Sequence, residues 1–145
     1  PGRLEIEVLE TSAIDDVDHV ERIIVACHAM GIGFSLDDFG TGYSSLYYLK
    51  RLPLDQLKID RSFVNDILTD TNDATIARSI VALANSLGLS VIAEGVETSA
   101  QREFLEQSGC LMYQGYLFSR PLLLAEFEHL LARPLDSSTL QDKHP

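Results

Sequence analysis

The sequence is poor in positive charge and in cysteine. Eleven Lys and Arg stand against 22 Asp and Glu, a formal net charge of −11. That balance argues against bulk attraction to a nucleic acid polymer or an anionic membrane. A small anionic ligand would need local cations, either a placed Lys or Arg or a bound metal. Cys27 and Cys110 are the two cysteines. Both sit in apolar settings, with no Cys-x-x-Cys and no Cys/His metal spacing, so they read as reduced core thiols of a cytoplasmic protein. His19, His28, His129 and His144 fall on helical stretches or in the tail, which argues against zinc. No apolar run approaches the roughly 18 residues of a membrane span, and no basic-then-apolar leader opens the chain. Gly/Ser linkers, internal repeats and low-complexity segments are lacking, as expected of one domain or part of one. The first residue is Pro rather than Met, which suggests a piece of a longer protein.

What the chain does have is an ordinary globular composition over 145 residues, 46% apolar and 23% charged, enough to bury a core. The hydrophobic pattern alternates between strand and helix. Strands are expected over 3–8, 32–36, 56–59, 89–93 and 112–114. Helices are expected over 17–30, entered at Asp15 or Asp16, over 46–52, over a stretch capped by Asn72 or Asp73 and closed by Gly88, over about 98–108, and over 124–131. Strand–helix alternation five times over predicts an α/β fold with a parallel sheet. Residues after Pro134 are polar and read as a disordered tail.

Each expected strand carries a polar side chain near its C-terminal end: Glu7, then the adjacent Asp37 and Asp38, then Lys58 with Asp60 and Arg61, then Glu94, then Gln114. Parallel strands present those ends on one face, the face where ligands bind in such folds. Neighbouring carboxylates repel, and a cation between them makes them tolerable. The donor set is all hard oxygen, which suits Mg²⁺ or Mn²⁺, with Ca²⁺ as an inhibitory occupant. Two such ions about 3.5–4 Å apart would activate water and clamp a phosphodiester. Lys58 would stand beside them as a point charge. The glycines of LDDFGTGYSSL allow that loop to move, and Glu10 is placed to accept hydrogen bonds from its backbone.

With these residues in view, LEIEVLE, LDDFGTGYSSL, LKIDRSFV, VIAEGVE and YQGYLFSRP, in that order, resemble the later motifs of EAL-domain cyclic di-GMP phosphodiesterases. The resemblance spans about residues 4–133, so residues 1–134 read as the C-terminal portion of such a domain and 135–145 as its tail. It implies a TIM-like (β/α)₈ barrel, here incomplete with about the last five βα units of eight, and hydrolysis of cyclic di-GMP to linear pGpG with Mg²⁺ or Mn²⁺. By motif position, Glu7, Asp37 and Asp38 are the implied metal ligands, with Glu94 at the second metal or its water. Lys58 is the implied catalytic lysine, and Glu10 the loop anchor. Gln114 and Glu97 belong to the outer part of the site, Gln114 with the catalytic group and Glu97 with the substrate. Asp60, Arg61, Phe118 and Pro121 lie in motifs near the substrate.

The sequence also departs from the family pattern. The Glu-Ala-Leu signature and the Asn-containing motif that follows it are absent, and Leu9 stands where Thr is usual. An open barrel has unpaired edges, so a homodimer or a multidomain parent is expected to cover them. Three functions compete: a phosphodiesterase complete in its parent, an inactive cyclic di-GMP-binding or protein-interaction module, and a barrel enzyme using Lys58 as a Schiff-base amine. The last is weak, because an amine among four carboxylates is held protonated.

Overall fold

A computed structural model describes residues 2, 4–9, 16–40 and 46–132. Glu10, Asp15, His144 and the expected tail lie outside the described residues. Five strands, β1 (Glu5–Leu9), β2 (Gly33–Phe39), β3 (Gln56–Ile59), β4 (Ser90–Ala93) and β5 (Met112–Tyr113), form one sheet in the order β1-β2-β3-β4-β5, and every pairing is parallel. Helices α1 (Val17–His28), α2 (Leu46–Arg51), α3 (Arg61–Asn65), α4 (Thr71–Leu87), α5 (Ser99–Gln107) and α6 (Leu124–Ala132) fill the connections and follow the last strand. The strand order never reverses. With right-handed crossovers, such an order lays every crossover helix on one face, as in a β/α barrel.

The two sheet faces differ accordingly. Phe34, Leu36, Leu57, Ile59, Val91 and Ala93 are buried toward the helices, where Ile24, Ala77, Ile80, Val81, Ala84 and Leu105 meet them in one core. The alternate positions, Glu7, Ser35, Gln56, Lys58 and Ser90, make the other face polar. Parallel alignment then brings every C-terminal strand end to one rim.

The helix termini follow sequence chemistry, with corrections. Asp16 caps α1 by accepting from His19 N at 3.0 Å. Thr98 and Gln101 form a capping box on α5. The cap of α4 is Asp70, not Asn72 or Asp73, both of which donate their backbone N–H to Asp70 Oδ1. α1 stops at His28, two residues short of expectation. β2 continues to Phe39 rather than ending at Leu36, because an irregularity between Leu36 and Phe39 absorbs one extra residue and returns Phe39 to the core opposite Ile59. α3 was not expected: five residues are too few to show a helical period, and Asp60 caps it by accepting from Ser62 N.

Candidate active site

The β2 irregularity explains how two adjacent aspartates can serve one site. In a regular strand, neighbouring side chains point to opposite faces. A bulge re-aims one of them. Asp38 takes φ 56°, the one positive φ at a non-glycine among the described residues, a conformation that Asp tolerates better than most residues. Its N–H donates to Asp37 Oδ1 at 3.1 Å. Asp37 is thereby turned toward β3, and the Asp38 carboxyl meets that of Asp60.

Lys58 lies at the centre. It is 5% exposed, and its Nζ stands 2.6 Å from Glu7 Oε1, 3.0 Å from Asp37 Oδ1 and 2.6 Å from Glu94 Oε1. Three carboxylates from β1, β2 and the end of β4 thus share one ammonium. Burial pulls the Lys58 pKa down, but the hydrogen bonds its ammonium donates to Glu7, Glu94 and Asp37 outweigh that and hold the amine well above its ordinary range. Gln114 Nε2 donates to the same Glu94 oxygen at 2.9 Å. The expected grouping of Glu7, Asp37, Asp38, Lys58, Glu94 and Gln114 at one rim is what the structure contains.

Beside the cluster opens a cleft of about 660 Å³. Arg61, Glu97, Phe118 and Pro121, all expected near substrate, line it together with Glu94 and Gln114. Asp60 does not. It is the α3 cap and the partner of Asp38, and the Ser62 hydroxyl and backbone hold its carboxyl below the ordinary range against the effect of burial. Sequence reasoning missed Tyr116 and Arg120, although both lie within YQGYLFSRP: the Arg120 guanidinium sits 4.7 Å from the Tyr116 ring centroid. Tyr113 stacks on Phe118 with centroids 5.7 Å apart. Gly115 closes the wall. A Cβ there would come 2.2 Å from Val96 O, so only glycine lets the loop after β5 lie against the loop after β4.

Among the described residues, no three carboxylates or imidazoles form a ready metal cage; the carboxylates converge on Lys58 instead. The donor set nevertheless fits a hard divalent cation. Burial and the charges of Asp37 and Asp60 raise the Asp38 carboxyl above its ordinary range. Three carboxylates this close, Asp37, Asp38 and Asp60, repel one another, and a hard divalent cation between them would relieve that repulsion.

A family model described as the EAL domain matches residues 1–121. The chain is 53% identical over 122 residues to the bifunctional diguanylate cyclase/cyclic di-GMP phosphodiesterase MucR of Pseudomonas aeruginosa, covering 84% of this chain and 18% of that protein. It is 51% identical over 128 residues to the cyclic di-GMP phosphodiesterase NbdA of the same organism, covering 88% and 16%. Thus the chain spans less than a fifth of the length of these relatives. Among solved structures, the MucR phosphodiesterase in complex with c-di-GMP superposes with a TM-score of 0.82 at 51% identity, covering 88% of this chain and 51% of that one. Klebsiella pneumoniae BlrP1 in a manganese/c-di-GMP complex superposes at 0.77 and 39% identity, covering 83% and 31%. The family model covers most of the chain and the superposed structures share its fold, and the chain belongs to the EAL domain family.

Proposed function

We propose that this chain carries the catalytic rim of a cyclic di-GMP phosphodiesterase that opens the cyclic dinucleotide to linear pGpG. The observation that carries the reading is the Lys58 ammonium held by Glu7, Asp37 and Glu94 beside an open aromatic cleft. Glu7, Asp37 and Asp38, with Glu94, would hold Mg²⁺ or Mn²⁺, and Ca²⁺ would occupy the same all-oxygen site unproductively. Bound divalent ions supply an acidified water and neutralise phosphate charge.

The chain's own residues do the rest. Lys58 stays an ammonium through neutral pH, so it acts as a fixed positive charge where negative charge develops and not as a base. The same protonation disfavours a Schiff-base role. Gln114 fixes the Glu94 carboxylate. The Tyr113–Phe118 stack and Tyr116 offer flat apolar surfaces to a purine, and Arg61 and Arg120 offer charge to phosphate.

The test is to incubate the intact protein with cyclic di-GMP and Mn²⁺ and to separate the products by chromatography. Metal-dependent appearance of pGpG is expected. Binding without any product would favour the second reading, a cyclic di-GMP-binding module, for which the open aromatic cleft is the motive.

A further inference from the structure

Gln101 is a buried polar side chain, 7% exposed, outside the catalytic cluster and absent from the cleft wall. Half of its bonding is helix capping. Its Oε1 accepts from Glu97 N and Thr98 N, each at 2.9 Å, while its own N–H donates to Thr98 Oγ1 at 3.2 Å. A capping box needs only an acceptor at this position, and Glu serves there as well as Gln. The other half is unexplained by capping. Gln101 Nε2 donates to Val64 O at 3.1 Å and Asn65 O at 3.3 Å, the last carbonyls of α3.

The amide therefore ties two segments that form the cleft. On one side stands α3, which brings Arg61 and Asn65 to the cleft and begins beside Lys58. On the other runs the loop from Glu94 to Thr98, which brings Glu94, Gly95 and Glu97. The segments touch closely: a Cβ on Gly95 would lie 2.7 Å from Arg61 Cβ. We propose that Gln101 is a positioning residue that clamps α3 to the β4–α5 loop and so sets the width of the substrate cleft. Its consequence for cyclic dinucleotide binding rests on the phosphodiesterase reading above.

Gln101→Glu separates the two roles. The carboxylate keeps both cap acceptors and suits a helix N-terminus, but it loses the donor and faces two carbonyls. In the intact protein, KM for cyclic di-GMP is expected to rise about tenfold with kcat within about twofold, the size of one lost buried hydrogen bond. Thr98→Ala, which weakens the same cap without touching the amide bridge, should lower the melting temperature and leave KM unchanged. Amide exchange should quicken in residues 61–66 and 94–98 of Gln101→Glu while the interior of α5 stays protected. If Gln101→Glu fails to fold, Gln101→Met, which loses the cap acceptor together with the amide bridge, is read against Thr98→Ala, and a rise in KM that Thr98→Ala does not show is expected. An unchanged KM, or a KM shift matched by Thr98→Ala, would overturn the proposal. If the wild type shows no turnover, the phosphodiesterase reading falls separately and exchange decides the clamp: loosening of 61–66 upholds it and unchanged exchange removes it.

Discussion

Burial treats Lys58 and Cys110 in opposite ways. Lys58 loses water but gains three carboxylates, so it remains charged. Cys110, fully buried at the entry to β5, donates its thiol to Met112 O at 3.2 Å, and burial pushes it up to about 11. A raised pKa means that the folded state holds its proton more tightly than the unfolded chain. The thiol's contribution is then complete below its ordinary value of 9.0 and is lost as pH rises toward 11. Urea unfolding is expected to show a loss of about 2–3 kcal/mol across that window, and Cys110→Ala should flatten it; an equal slope in the variant would contradict the assignment. The rim was readable from its residues jointly, because parallel strands bring their C-terminal ends to one face, whereas Glu7, Lys58 or Gln114 alone reads as an ordinary surface side chain. The pairing of Asp38 with Asp60 was not, because it depends on a bulge that side-chain pattern does not encode.

Whole elements were legible where the period was long enough. All five strands and the four longer helices stand close to their expected places, since alternation and the 3.6-residue period decide burial. Boundaries failed where one local bond outcompeted pattern: Asp70 captured the start of α4, and Asp60 nucleated the unforeseen α3. The loops after β4 and β5 show how far packing exceeds sequence. Val96 N donates to Gln114 O and Leu117 N to Val96 O, both at 3.0 Å, and this contact keeps Gln114 within reach of Glu94. Gly115→Ala would place a methyl group against Val96 backbone. It should cost about 2–3 kcal/mol in chemical denaturation and weaken cyclic di-GMP binding in calorimetry. A variant as stable and as tight as wild type would show that the two loops need not touch.

At the scale of the molecule, one-directional strand order leaves one sheet face to the helices and the other polar, with its acidic rim set in a chain of net charge −11. No described helix is long and apolar enough to cross a membrane. A divalent ion that binds the folded rim and not the unfolded chain must stabilise the fold by mass action, by about 2.7 kcal/mol at a hundred times its Kd. Millimolar Mn²⁺ should therefore raise the melting temperature, with a chelator reversing the rise; an unchanged melting temperature at saturating Mn²⁺ would argue against a metal at the rim. The most direct test of the rim as a phosphodiester-cleaving centre is pGpG formation from cyclic di-GMP with Mn²⁺ by the intact protein and its Asp37→Asn variant. Asn keeps the shape and removes one of the carboxylates that hold Lys58. The account predicts a loss of roughly a hundredfold or more in kcat with the melting temperature in chelator little changed, and hydrolysis at the wild-type rate in the variant would contradict it.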